Sequence, residues 1–434
     1  MTSAAPQTPA EEQKEAEVAL TPLDSPRDGV PPLITTDEQL ANYVEQLRAA
    51  AGPLALDAER ASGYKYSQRA YLVQIRRAEA GTALIDPIAV ADLSAITEAC
   101  SDAVWILHAA DQDLRCLAEV GLRPPRLFDT ELAGRLLGYD RVGLASVVAQ
   151  LLGLQLAKEH SAADWSQRPL PESWLNYAAL DVEVLIEIYE LMRTELEESG
   201  KLAWAEEEFE AIRTAAPAPP RPDPWLRTSG VHKIRDPRGL AIVRALWHER
   251  DKIAARRDIT PSRILPDKAI VAAASTRPKS VADLTKLPIF GGPRQRRIAP
   301  RWFRIIEKTY ALDRAELPSQ KRNREGPPHQ RYWKDRDPAA FARLNAARAV
   351  VSQLSEKHHI PIENLMQPDA LRRFCWEPPA RVLRAPNSKE ALAAAHEMLS
   401  GLSVRSWQID LVIPPVLQRW RDLDSPAESE PAVK

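Results

Sequence analysis

The chain has 434 residues, 44% of them hydrophobic, and 58 Lys and Arg against 60 Asp and Glu, for a formal net charge of −2. That length predicts two or three domains with ordinary cores, and no apolar run approaches the roughly 18 residues of a membrane span, which excludes a membrane partner. The three cysteines, Cys100, Cys116 and Cys375, are too few and scattered for a disulfide framework or a zinc site. With no basic start and apolar run at the N-terminus, the reading is a cytoplasmic protein without a signal peptide.

Residues 1–30, rich in Ala, Pro, Glu and Thr, predict a disordered tail. "TTDEQLANYVEQLRAA" opens with a capping-type pair, Thr36 and Gln39, and continues as an amphipathic helix. Four short β-like runs follow: "LALDAE", "AYLVQIRR", "TALIDPI" and "AVWILHAA". From Asp111 onward the pattern is helical, and "SWLNYAALDVEVLIEIYELMRTELEES" repeats its apolar positions at three and four. Residues 31–213 therefore predict an α/β domain, strands first and helices after. "TAAPAPPRPDP" (214–224) reads as a stiff Pro-rich linker. Residues 225–316 and 331–424 read as two all-α domains, separated by a basic linker (317–330), and 425–434 as a second disordered tail.

The near-neutral total hides a split. From Trp225 to Lys334 there are 26 Lys and Arg against 10 Asp and Glu, a surplus of +16, so the flanks together carry −18. A basic middle between acidic flanks suits a polyanion, most simply nucleic acid, although a solvated helical surface has the same composition.

The carboxylates are more informative. Asp57 and Glu59 lie two apart at the end of an apolar strand, so both point to one face, where burying them unpaired would cost several kcal/mol. Asp111 and Asp113 follow another apolar strand, and Tyr177 and Asp181 stand one helical turn apart on one face. Singly, Asp111 reads as an N-cap and Asp181 as an exposed helix charge. Together, four carboxylates suit two divalent ions ~3.5–4 Å apart, of the hard kind, Mg²⁺ or Mn²⁺. The spacing alone leaves Asp111 and Asp113 both open.

"LDAE", "YLVQIRR", "LHAADQDL", "DTELAGRLLG" and "DWSQRPLPESWLNYAALDVEVL", in that order, resemble ribonuclease D over residues 31–210. "LAIVRALWHERDKIAARRDITPSRILPDKAIVAAASTRPKSVADLTKLP" is similar to the HRDC domain, and the third block resembles a diverged second copy. The resemblance implies an α/β ribonuclease H-like exonuclease domain, a mixed sheet with flanking helices, followed by two all-α helical domains, the first HRDC-like. It implies Asp57, Glu59, Asp113 and Asp181 as ligands of two divalent metal ions and Tyr177 as the catalytic tyrosine. The family's spacing, with His108 five positions before the metal Asp, favours Asp113. The implied function is a 3′→5′ exoribonuclease releasing 5′-mononucleotides. Its implied partner is structured RNA with a free 3′ end, tRNA precursors above all, with no obligate protein partner.

Stacking and backbone contacts to the terminal nucleotides are expected from Tyr64, Tyr66, Tyr71, Gln74, Trp165 and Arg168. His108 is read as a strand-end histidine near the substrate. In the basic module, Arg238, Arg244, Lys252, Arg256, Arg257, Arg294, Arg296 and Arg297 are expected to meet phosphates. Two other readings stand beside this one: a DNA 3′→5′ exonuclease, and a nucleic-acid-binding protein acting mainly through its basic helices. The complete carboxylate set counts against the second.

Overall fold

The computed structural model describes residues 20–157, 162–217, 219–319, 326–386 and 388–424. The tail expected at 425–434, residues 1–19 and residues 320–325 of the basic linker lie outside the described residues.

Eight strands are present among the described residues: β1 (Thr21–Leu23), β2 (Leu33–Ile34), β3 (Leu54–Arg60), β4 (Ala70–Arg77), β5 (Gly81–Ile85), β6 (Val104–Leu107), β7 (Arg126–Asp129) and β8 (Leu154–Leu156). Six of them form one mixed sheet in the order β2-β5-β4-β3-β6-β7. The β3–β4 and β4–β5 pairs are antiparallel, and the other three pairs are parallel. β3 and β4 show no polar–apolar alternation, because helices cover both faces of the sheet. On one face the helix Asp37–Ala49 buries Leu40, Tyr43, Val44 and Leu47, the i, i+3, i+4, i+7 stripe of an amphipathic helix. Its start is the expected capping box: Thr36 Oγ1 accepts from Gln39 N (3.3 Å) and Gln39 Oε1 accepts from Thr36 N (3.2 Å). The helix Glu172–Glu183 crosses β3, β4 and β5, over a small core that includes Leu72, Leu84, Ala178 and Ala179.

Three expectations need correction. The tail read as disordered to residue 30 is ordered from residue 20: β1 pairs in parallel with β8, Arg27 pairs with Glu187, and Arg76 with Asp28. Composition hides this, since a three-residue strand takes its partner from more than a hundred residues away. The half read as wholly helical contains β7 and β8, each too short to show a period of two. The long apolar-periodic stretch after Pro171 is two helices, Glu172–Glu183 and Leu185–Glu198, with the break at Val184.

The basic block folds around the helices Pro237–Arg257, Asp267–Thr276 and Pro293–Tyr310, with Leu240, Val243, Leu246, Trp302 and Ile306 in its core. The last block contains Pro338–His358, Pro368–Trp376, Lys389–Ser400 and Ser406–Asp424. Both blocks begin alike: an Asp N-cap, Pro at the first helical position, then a 21-residue helix that ends on a residue in the left-handed region, Asp258 (φ 49°) or His359 (φ 52°). Neither block hangs free on its linker. The last one shares a continuous core with the α/β domain, where Trp204 and Trp407 stack at 4.9 Å and Glu207 accepts from Ser406 N at 2.6 Å. No helix among the described residues is long and apolar enough to cross a membrane.

Candidate active site

β3 lies near the middle of the sheet, and its last residues carry the acidic groups to the sheet edge. There a cavity of about 560 Å³ is lined by Asp57, Glu59, Arg60, His108, Asp113, Tyr177 and Asp181, with Leu144 and Leu185 among the apolar walls. A register shift between Glu59 and Arg60 ends the regular pairing with β4. The helix Glu172–Glu183, crossing above, brings Tyr177 and Asp181 down from the other side.

Carboxylate oxygens of Asp57, Glu59 and Asp181 lie within 4.8 Å of one another. Asp113 is buried beside them, with Oδ1 3.4 Å from Arg60 Nη2. Asp111 is exposed on the preceding 3₁₀ turn, so the structure separates the two candidates by orientation. Asp113 makes no side-chain cap bond to the helix that follows it, which removes the ordinary structural reason for a buried aspartate there.

Protonation follows from this crowding. Burial, then repulsion from Asp57, Asp181 and Asp113, pushes the Glu59 carboxyl up to about 10. Burial and then Asp57 push Asp113 up to about 8. Asp57 and Asp181 are raised as well, burial first. Tyr177, hydrogen-bonded to Asp181, is raised by burial and by Asp181, Glu59 and Asp57, so its phenol is neutral at physiological pH. A group of hard oxygen donors, short of compensating cations and held partly protonated, fits divalent metal ions: they would displace the protons and satisfy the charge.

Other side chains fix the frame. Asp129 accepts from Ala109 N (3.1 Å) and Ala110 N (2.8 Å) and caps the helix Thr130–Leu137 through Glu131 N and Leu132 N. It holds the turn before Asp113, in which Ala109 sits at φ 57°, a conformation alanine adopts at a cost of roughly 1–2 kcal/mol. His108 Nδ1 is 2.9 Å from Thr130 Oγ1, and burial lowers the imidazole to about 4, so the ring is neutral. Sequence reasoning missed Arg60 and Asp129. An Asp-Thr pair ahead of a helical run does signal an N-cap, but nothing in the sequence says that the same carboxylate also clamps the neighbouring turn.

Several expected RNA contacts fall elsewhere. Tyr71, Gln74 and Trp165 are buried, so they form no stacking surface. Arg168 is not free for phosphate: Nε and Nη2 each donate to Asp86 at 2.7 Å, and Nη2 also to Tyr71 O at 2.7 Å. Tyr64 and Tyr66 face the basic module instead. Within that module Arg238 donates to Thr309 O and Leu312 O, and Arg244 to Glu316 O, so both brace the module itself. Lys252, Arg256, Arg257, Arg294, Arg296 and Arg297 are exposed.

A mixed sheet with an acidic cluster and a tyrosine at the end of its central strand fits a nuclease of the carboxylate type. Family models agree along the chain: a 3′-5′ exonuclease over residues 31–197, an HRDC domain over 239–306 and a 3′ to 5′ exonuclease C-terminal domain over 326–419. Ribonuclease D of Gluconacetobacter diazotrophicus is 30% identical over 357 residues, covering 80% of this chain and 87% of that protein. Among solved structures, a protein from Bifidobacterium adolescentis matches with TM-score 0.82 and 39% identity, over 93% of this chain and 100% of that one. Escherichia coli RNase D, an exoribonuclease involved in structured RNA processing, matches with TM-score 0.62 and 27% identity, over 86% and 98%. The chain belongs to the ribonuclease D family and is a 3′→5′ exoribonuclease. Its exonuclease fold implies divalent metal ions.

Proposed function

We propose that this exoribonuclease works through two divalent ions, Mg²⁺ or Mn²⁺, held by Asp57, Glu59, Asp113 and Asp181, with Tyr177 as the catalytic tyrosine. The observation that carries this reading is the close approach of the Asp57, Glu59 and Asp181 carboxylates in a cavity that Asp113 and Tyr177 also line. When bound, the ions would polarise the attacking water and neutralise the charge that builds on the scissile phosphate.

The chain's own residues do the rest. Tyr177 keeps its proton, so its hydroxyl orients the attacking water through a hydrogen bond, with Asp181 fixing the phenol one turn along the helix. Arg60 balances part of the charge on Asp113. Leu144 and Leu185 offer the terminal base an apolar wall, which favours a chain end over a continuous strand. His108, neutral and tied to Thr130, serves as a hydrogen-bonding wall, not as a charged group.

The substrates in this proposal are structured RNAs with a free 3′ end, tRNA precursors among them. The part that E. coli RNase D takes in structured RNA processing supports the class, and the exposed arginines of the basic module supply a surface for the RNA body. The working units are the nuclease domain (31–213), the HRDC-like module (225–316) and the diverged second module (331–424). The test is hydrolysis of matched RNA and DNA oligonucleotides, labelled at the 5′ end, with Mg²⁺ or Mn²⁺. RNA should shorten one nucleotide at a time from the 3′ end, and cleavage at internal bonds would overturn the proposal.

A further inference from the structure

The loop that leaves β3 is held from outside its own domain. Residues 61–69 line the cavity at Ser62 and Gly63 and follow directly on Glu59 and Arg60. Internally the loop is one tight turn, with Tyr64 N and Lys65 N both donating to Ala61 O. Further backbone groups of the loop are satisfied by the HRDC-like module. Asp258 Oδ1 accepts from Ser67 N (2.8 Å) and Tyr66 N (3.2 Å), and Oδ2 accepts from the Tyr71 hydroxyl (3.4 Å). Thr260 N donates to Tyr64 O at 3.0 Å, and the Arg263 guanidinium lies 4.2 Å from the Tyr64 ring centroid. The Tyr66 ring packs on the module's core while its hydroxyl reaches both Asp251 oxygens at 3.2 Å. Beside that packing, the grip is a carboxylate accepting from two backbone N–H groups of the loop between β3 and β4, the kind of contact that fixes geometry.

We propose that Asp258 is a positioning residue for the exonuclease site: from the helical module it fixes the exit of the carboxylate strand, so that even substrates too short to touch the module depend on it. This rests on the exonuclease reading above. The position is suited to the task. Asp258 caps the helix Pro237–Arg257 in the left-handed region, which Asp and Asn tolerate and which turns the side chain away from its own helix. The last block is met at the corresponding place by a different contact: Lys201 Nζ of the nuclease domain donates to the O of His358, the last residue of the 21-residue helix, and to Leu136 O, both at 2.7 Å. Both modules thus touch the nuclease domain at the end of their first helix, and the last block does so through Trp407 and Ser406 as well.

The test uses the full chain and a four-nucleotide RNA, followed to kcat and KM beside a long structured RNA. Asp258→Gly removes the acceptor without straining the turn. Asp258→Asn keeps a carbonyl oxygen where Oδ1 stands, so both backbone N–H groups retain their acceptor. Asp258→Gly should raise KM for the short RNA at least fivefold and speed hydrogen exchange at the Tyr66 and Ser67 amides, with exchange in β4 unchanged. Asp258→Asn should stay within twofold of wild type on both counts. Simple destabilisation would instead lower apparent kcat at constant KM and speed exchange throughout. Tyr66→Phe, which removes only the bond to Asp251, should shift KM in the same direction by a smaller factor and decides the matter if Asp258→Gly does not fold. An unchanged KM for the short RNA in folded Asp258→Gly, or in Tyr66→Phe where Asp258→Gly does not fold, or Asp258→Asn as impaired as Asp258→Gly, overturns the proposal. Failure of the wild type to shorten the short RNA would instead remove the exonuclease reading beneath it.

Discussion

Replacing Glu59 by glutamine removes a carboxyl that folding must either protonate or ionise among buried like charges, so the metal-free variant should be more stable than wild type while losing activity. The carboxylate oxygens lie within 4.8 Å of one another. Two unit charges at that separation repel by ~3.5 kcal/mol at an effective dielectric constant of ~20. Protonation gives a similar figure. The Glu59 carboxyl is pushed up to about 10 in the fold against an ordinary 4.5, so at pH 7 folding must take up a proton that the unfolded chain has released, at about 3 kcal/mol. Because the folded value is raised, the group's stabilising share is full below ~4.5 and is lost progressively as pH rises toward 10. Metal-free wild type should therefore lose stability between pH 6 and pH 9, and Glu59→Gln should lose less. Allowing for the amide's own burial, the gain at pH 8 should be about 1–3 kcal/mol, or roughly 2–4 °C per kcal/mol for a domain of this size. Thermal unfolding followed by circular dichroism, in chelator and then in millimolar Mn²⁺, measures both halves. Mn²⁺ should raise the wild-type midpoint far more than that of the variant. A variant less stable than wild type in chelator at pH 8, or equally stabilised by Mn²⁺, would refute the reasoning.

Asp57→Asn and Asp181→Asn should each lower kcat on RNA by at least ~100-fold, the loss typical of removing one transition-state stabiliser, with circular dichroism unchanged. Tyr177→Phe should lower kcat strongly with little change in RNA affinity, and a change confined to KM would mean a packing role. Arg168→Ala leaves the largely buried Asp86 without its bidentate partner and should destabilise the nuclease domain by ~3–5 kcal/mol in urea unfolding, with no specific loss of RNA affinity. Arg168 holds the Asp86 carboxyl below its usual value despite its burial, so the pair's contribution is full above ~4 and lost as pH falls further; acid unfolding of wild type and variant should converge there.

How much was legible in the sequence depended on how local each cause was. The capping box at Thr36 and Gln39, the strands β3 to β6 and the pairing of Tyr177 with Asp181 all rest on near neighbours, and all could be read directly. Asp57 and Glu59 were readable because two acids on one face of a buried strand demand a compensating group. Asp113 could not be separated from Asp111 by pattern, since only the 3₁₀ turn held by Asp129 decides which of them faces the cavity. Tyr71, Trp165 and Arg168 were misplaced for another reason. A strand or loop residue close to a motif in sequence can be buried in a core, as Tyr71 and Trp165 are with Ala178 and Ala179, or can meet an internal partner, as Arg168 meets Asp86. Chain order also concealed the docking of both helical modules, because Tyr66 with Asp258 and Trp204 with Trp407 are pairs separated by about two hundred residues.

The central claim is that the acidic group at the end of β3 hydrolyses RNA from its 3′ end with divalent metal. The most direct measurement is the product ladder from 5′-labelled RNA, with either a free or a blocked 3′ end, incubated with wild type and Asp57→Asn in Mn²⁺ and in chelator. Stepwise shortening of the free-ended RNA alone, by wild type alone and only with metal, is the result expected. Shortening of the blocked RNA, or equal activity in the Asp57→Asn variant, would contradict it.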